Sequence, residues 1–295
     1  VERSRGLGDV YKRQVHCFGF SPVNGDGFSS SSFTPLVIEQ SRSFSLLAAD
    51  GSVGIAFDSN KKLIGWGQSL KGVDRKYTYD INTDGLAFDK VVNGSTYYSS
   101  VVCGLVAKKL YCNVAEAGFR QIDVGVAYAD VVLRGSKGCA ITDSGVLKCW
   151  SSLPSNLTEI DSGTAYSKVA VGVYHSCAIT TSGYVKCWGD NYWGELGDGT
   201  QDNRSSPTLI ADSATVYKSI STGDGGNRPH TCGVTSDGTL KCWGANQGGL
   251  GDGSYNTWNL TPTVIDTGVQ YKMVASGQGL SLIHISSPRD LSTSR

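Results

Sequence analysis

No apolar run in the 295 residues approaches the ~18 that a membrane-crossing helix requires, so insertion into a bilayer is not expected. Charge is scarce as well. Asp, Glu, Lys and Arg make up 18% of the chain against roughly 25% in an average globular protein, which argues against coiled coils and long solvated helices. The charge present cancels, 26 basic against 26 acidic side chains, so no long-range positive field draws the chain onto nucleic acid, which is excluded as the main partner. Glycine is abundant instead, with 38 residues, about twice the average share. A glycine-rich, charge-poor chain of this length reads as turn-rich β structure with room for a substantial core.

Residues 1–14 and 281–295 resemble translated sequencing-adapter read-through, as seen at the ends of proteins from metagenomic and transcriptome assemblies, and neither continues the pattern between them. Both are expected to lie outside the fold. The repeat domain is then residues 15–280, with 20 basic and 23 acidic side chains.

Within that segment one order of residues recurs six times: Ile, five or six small or polar residues, then an aromatic opening a short apolar stretch. The pairs are Ile38 and Phe44, Ile81 and Phe88, Ile122 and Tyr128, Ile160 and Tyr166, Ile210 and Tyr217, and Ile265 and Tyr271. Behind each complete opening, two β-rich runs flank a turn, most plainly from Cys177 to Trp188 around Ser182-Gly183 and from Cys232 to Trp243 around Asp237-Gly238. The same hairpin reads Ile55 to Trp66, Cys103 to Asn113 and Cys139 to Trp150. A period of roughly 38 to 55 residues is that of a four-stranded propeller blade. Each unit has too little apolar surface to cover both faces of its own sheet, so the units must stack, and ring closure protects the terminal edges.

The copy containing Val171-Gly172-Val173-Tyr174-His175-Ser176-Cys177-Ala178, then Trp188-Gly189-Asp190-Asn191, then Gly194-Glu195-Leu196-Gly197-Asp198-Gly199, resembles the regulator of chromosome condensation repeat, and is similar to that of its bacterial, secreted members. The next copy, with Trp243-Gly244-Ala245-Asn246 and Gly249-Leu250-Gly251-Asp252-Gly253, repeats the match with one deletion. The resemblance implies an all-β propeller, usually of seven blades. This chain supplies five full copies plus partial blades at both ends, which makes six if the ends pair and seven in an intact parent. Founding members exchange guanine nucleotide on the small GTPase Ran, an activity of particular loops that does not follow from the repeat.

Eight of the nine cysteines fall in pairs at the two hairpin positions: Cys103 with Cys112, Cys139 with Cys149, Cys177 with Cys187, and Cys232 with Cys242. Cys17 is left over. In the Phe44 copy both positions change together, to Ile55 and Gly65, as they should if the two sulfurs bond to each other. Disulfides at this density imply an oxidising compartment, hence an extracellular or cell-surface protein. Sequons at Asn93, Asn156, Asn203 and Asn259 are compatible with that compartment and add little to it.

His175 with Cys177 and Cys187, and His230 with Cys232 and Cys242, have the residue types of a zinc site. The Tyr128 copy keeps both cysteines but has Lys137 at the histidine position, and a fourth ligand is missing, so no metal and no cofactor is expected. No histidine departs from the repeat toward a Ser or Cys nucleophile, so an enzyme is not expected. The Gly-Asp-Gly triplets at 25–27, 197–199 and 251–253 lack the ligand spacing of calcium or phosphate loops and read as turns. Trp66, Trp150, Trp188 and Trp243 share one repeat position and read as packing between blades.

Two groups of residues break the repeat. Tyr192, Trp193, Tyr255 and Trp258 fall in long inter-blade segments, where aromatics serve either as contact anchors or as local packing. About four extra residues precede two of the hairpins, bringing Tyr97 and Tyr98 in one copy and Asn227 and Arg228 in the other. Unequal loops on a rigid scaffold are where specificity resides. The chain therefore reads as a monomeric, non-catalytic propeller binding a protein or glycan through its blade loops. The alternative is a guanine-nucleotide exchange factor-like regulator of a small GTPase.

Overall fold

The computed structural model describes residues 9–11, 14–19, 32–38, 44–50, 53–58, 60, 62–68, 74–95, 100–113, 118–152, 157–224, 228–246, 250–254, 257–276 and 281–285. Strands are its only regular secondary structure: no helix is assigned among the described residues. Five antiparallel sheets have four strands each, in the orders β4-β5-β6-β7, β11-β10-β9-β8, β12-β13-β14-β15, β16-β17-β18-β19 and β20-β21-β22-β23, where β7 is Asp74–Ile81, β10 Lys109–Asn113, β11 Phe119–Gln121, β13 Lys137–Thr142, β14 Leu147–Trp150 and β15 Thr158–Glu159. Their first strands are β4 (Phe44–Asp50), β8 (Lys90–Ser95), β12 (Tyr128–Arg134), β16 (Tyr166–Val171) and β20 (Tyr217–Asp224), starting at or just after the recurring aromatic. A three-stranded sheet, β1 (Asp9–Tyr11), β2 (Gln14–Gly19) and β3 (Ser32–Ile38), precedes them, and a pair, β24 (Tyr271–Ser276) and β25 (Ser281–Ile285), follows. The chain divides into two compact units, residues 3–143 with 148–158, and residues 144–147 with 159–295.

The second unit shows how the sequence builds a blade. β16 pairs with β17 (His175–Thr180), β17 with β18 (Val185–Gly189), and β18 with β19 (Arg204–Leu209). The next blade repeats this with β20, β21 (Pro229–Thr235), β22 (Leu240–Ala245) and β23 (Trp258–Val264). The β17–β18 and β21–β22 turns carry Gly183 and Gly238 at φ of 88° and 93°, a left-handed backbone that glycine alone adopts without strain. The register places Cys177 opposite Cys187 and Cys232 opposite Cys242, and both pairs are bonded, as are Cys103–Cys112 and Cys139–Cys149 in the first unit. In the blade lacking cysteines, Ile55 of β5 (Val53–Asp58) faces Gly65 of β6 (Leu63–Gln68) at the same point. Cys17 belongs to β2, and its side chain lies outside the described residues.

Consecutive blades are joined by a recurring backbone contact, seen most fully in the second unit. The hairpin turn of one blade holds the opening of the next through a backbone hydrogen bond, Tyr217 N–H donating to the Gly183 carbonyl, while Ser236 N–H donates to the Val216 carbonyl within the following blade. Tyr271 N–H likewise donates to Gly238. The core lies at these junctions. Cys177, Ile179, Val185, Cys187 and Ile210 of one blade pack against Tyr217 and Trp243 of the next. In the first unit Cys103, Leu105, Leu110 and Cys112 pack against Tyr128, Val131 and Trp150. Cys103–Cys112, Cys177–Cys187 and Cys232–Cys242 are thus each packed against an aromatic of the following blade. Trp243 and Trp150 are buried as the repeat predicts, Trp188 is only half-buried, and the Trp66 side chain lies outside the described residues.

The openings of three blades are also pinned by an ion-pair triad that the apolar pattern does not reveal. Tyr217 Oη donates to Asp212 at 2.7 Å and Lys241 Nζ reaches the same carboxylate at 2.6 Å. Asp161 takes Tyr166 and Lys186, and Asp123 takes Tyr128 and Lys148. Burial opposes the charge on Asp212, but hydrogen bonds from Lys241, Thr215 and Tyr217 outweigh it and hold the carboxyl below the usual carboxylate range. The sequence signal is an Asp five residues before each opening Tyr and a Lys just before the second hairpin cysteine.

Candidate functional site

Three of the aromatics singled out by the sequence meet on one rim of the second unit. Tyr192 and Trp193 follow β18, and Trp258 begins β23 of the next blade. The Tyr192 and Trp193 ring centroids lie 5.1 Å apart, edge to face, and those of Trp193 and Trp258 lie 6.1 Å apart at 61°. Tyr192 is 69% exposed and Trp258 39%, so two large rings face solvent with the half-buried Trp193 between them. Tyr255 lies outside the described residues.

These residues do not sit between blades, as the repeat reading placed them. They occupy the connections from third to fourth strand within a blade. The error arises because β19 and β23 carry no period-two apolar pattern: β19, Arg-Ser-Ser-Pro-Thr-Leu, is exposed or half-exposed throughout. An outermost strand covered on neither face offers no hydrophobic alternation to read.

The loop beneath the rings is held from inside. Asn191 is fully buried, and its Nδ2 donates to Asp198 Oδ1 and to the carbonyls of Thr200 and Asp202, while its Oδ1 accepts from Leu196 N–H at 3.0 Å. Asn246, equally buried, donates to Asp252 and Ser254 in the following blade. The Gly-Asp-Gly triplets at 197–199 and 251–253 are thereby explained: all four glycines have φ between 68° and 84°, and the central Asp receives the asparagine. Asp198 also holds Arg204 at 2.7 Å. Each buried amide is worth more than an exposed one, because losing it would strand several backbone partners.

Below this loop lie the titratable groups of the repeat. His175 Nε2 is 2.8 Å from Thr231 Oγ1, which donates to the Glu195 carbonyl at 2.9 Å, and both Cys177 and Cys187 are consumed in their disulfide. The imidazole and sulfurs that resemble zinc ligands thus have other partners. Burial, aided by the charge of His230, pushes His175 down to about 3. Burial pushes Glu195 up to about 7, against hydrogen bonds from the backbone of Glu195 and Trp193 and with the charge of Asp190. The two act with opposite sign. A native imidazole that resists protonation contributes stability fully present above the free value of 6.5 and lost as pH falls toward 3, whereas the Glu195 proton is retained only in the folded chain, so its contribution fades as pH rises from 4.5 to 7. Urea unfolding at pH 7.5 and pH 4 checks the first effect: the drop in stability on acidification should be smaller in His175→Gln than in the parent chain.

The second group of expected contacts lies at the same end of its sheets. In the last four-stranded blade the end row runs from Asp224 opposite Pro229 to Ala245 opposite Trp258, so the inserted residues lengthen the β20–β21 hairpin on the rim that carries Trp258. Arg228 is exposed at that tip, and Asn227 lies outside the described residues. In the first unit the insertion extends β8 and β9 (Ser100–Val106) to the pair Ser95 and Ser100, with Tyr97 and Tyr98 outside the described residues. Of the sequon asparagines, Asn93 is 4% exposed and unsuited to carry a glycan, while Asn203 is exposed on the aromatic loop.

Residues 166–194 and 218–249 match the regulator of chromosome condensation (RCC1) repeat. No curated protein sequence matches the chain. Among solved structures, Prp20p from Saccharomyces cerevisiae, described with its binding to Gsp1p and histones, is 15% identical with a TM-score of 0.74 over 94% of this chain and 80% of its own. The same yeast protein bound to Kap60 gives 16% and 0.75 over 94% and 78%. The ectodomain of the Arabidopsis thaliana receptor kinase ACR4 gives 17% and 0.57 over 97% and 92%. With its four-stranded antiparallel blades and recurring hairpins, this chain is an RCC1-like β-propeller.

Proposed function

We propose that the chain is a non-catalytic, extracellular or cell-surface scaffold that engages a protein or glycan through the rim bearing Tyr192, Trp193 and Trp258. The exposed ring triplet carries this reading. Large aromatics are ordinarily buried, and two left in solvent on loops stapled by buried asparagines are pre-organised contact anchors. The disulfides in every described blade from β8 to β23 support the oxidising compartment, and the ACR4 ectodomain is an instance of a related fold outside the cell. Arg228, with Tyr97, Tyr98 and Asn227 of the two inserted segments, completes the proposed contact residues.

The test uses a partner captured from the extracellular fraction of the source by crosslinking at Gln201→Cys. Truncating a central aromatic anchor costs about 2 kcal/mol, roughly thirtyfold in affinity. Tyr192→Ala combined with Trp258→Ala should therefore weaken binding at least thirtyfold with little change in melting temperature, since both rings are exposed. Binding unchanged in the double variant would remove the rim from the proposal. A second reading, nucleotide exchange on a small GTPase, draws on the likeness to Prp20p, and faster release of mant-GDP from such a GTPase on adding the chain would favour it over the scaffold.

A further inference from the structure

The opposite end of the same blades holds a cleft of about 370 Å³ whose lining includes Ser167, Lys168, Thr181, Ser182, Val216 and Lys218. It lies where the β17–β18 turn meets the opening of the next blade, at the row that pairs Tyr166 with Thr180, and so away from the aromatic rim. No carboxylate lines it.

Its two ammonium groups stand out by comparison with the rest of the repeat. Lys186 and Lys241 on the third strands of these blades are paired with Asp161 and Asp212. Among the described residues the side chains of Lys168 and Lys218 have no ion-pair partner. The corresponding junction of the first unit shows what is missing. There Lys90, two residues after Phe88, pairs with Asp130, two residues after Tyr128. The same two positions here are Lys168 and Ser219, so the acid that neutralises the lysine elsewhere is replaced by serine, and Lys218 adds a second cation beside it.

We propose that this cleft binds a small tetrahedral oxyanion ester, a phosphate or sulfate monoester, with Lys168 and Lys218 supplying the charge and the hydroxyl of Thr181 a neutral donor. Two lysines lining one cleft without an acid suit a compact, doubly acceptor-rich group, and a hydroxyl satisfies an oxygen that the ammonium groups leave free. Ser167 serves as a wall, because its hydroxyl already donates to the carbonyls of Ile179 and Thr180. The volume lies in the range of small-molecule sites.

The full chain is titrated with glucose 6-phosphate, glucose 6-sulfate and glucose while the backbone amide resonances of Thr181, Ser182 and Gly183 are followed. Either ester should shift them saturably and glucose should not, and a response to one ester alone supports the site and names its source. Lys168→Gln combined with Lys218→Gln should weaken ester binding at least tenfold. Ser219→Asp should do the same by giving Lys168 the partner that Lys90 has, with the melting temperature held, which separates loss of the site from loss of the fold. No shift with either ester, an equal response to glucose, or unchanged affinity in both variants would overturn the proposal. The outcome is independent of the aromatic rim.

Discussion

Reducing the four disulfides is expected to unfold the protein at room temperature. Each bond closes a loop of 9 or 10 residues across one hairpin. On the chain-entropy account a loop of that size contributes about 2.5–3 kcal/mol, so four together contribute on the order of 10 kcal/mol. A domain of ordinary stability has about 5–15 kcal/mol in all, and little would remain. The loss should exceed the entropic figure, because the sulfurs are also packing atoms: Cys177 and Cys187 are fully buried against Tyr217 and Trp243. Circular dichroism and intrinsic tryptophan fluorescence, with and without a reductant, check this. The double replacement Cys177→Ala with Cys187→Ala isolates one bridge and should lower stability by more than about 3 kcal/mol.

Trp243→Ala is expected to have the largest effect of any single substitution in the second unit, about 3–5 kcal/mol. The ring is fully buried, meets Tyr217 edge to face at 6.3 Å and closes the junction over the neighbouring disulfide. The surroundings cannot collapse into the space it leaves. One wall is backbone: a Cβ added at Gly197 would sit 2.6 Å from the indole Nε1, and the rest is held by paired strands and a disulfide. Trp258→Ala is the control, since its exposed ring has far less contact to lose. Chemical denaturation of the two variants should separate them by at least 2 kcal/mol, and equal losses would show that the junction packing is misassigned.

The hairpins were legible in the sequence because cysteines, turn glycines and a terminal tryptophan recur at fixed spacing, and the opening aromatics mark the first strands from β4 to β24 to within two residues. The fourth strands were not, since residues such as Ser205, Ser206 and Thr208 on an outer edge carry no alternation. That omission displaced Tyr192, Trp193 and Trp258 into segments between blades. Their exposure could be anticipated from the break in the repeat. Their meeting could not, because Trp193 and Trp258 stand in different copies and touch only once consecutive blades are stacked. The Asp–Tyr–Lys triads are the reverse case: Asp161, Tyr166 and Lys186 recur at regular positions in three copies, yet charge spaced across a junction escapes a pattern read for apolar residues alone.

The account rests on the four blades from β8 to β23 each being closed by its own pair of sulfurs. Peptide mapping of the denatured, unreduced chain after secretion tests this most directly: four linked peptides joining 103 to 112, 139 to 149, 177 to 187 and 232 to 242, with one titratable thiol, are expected. Nine free thiols, or bridges joining cysteines of different hairpins, would contradict it.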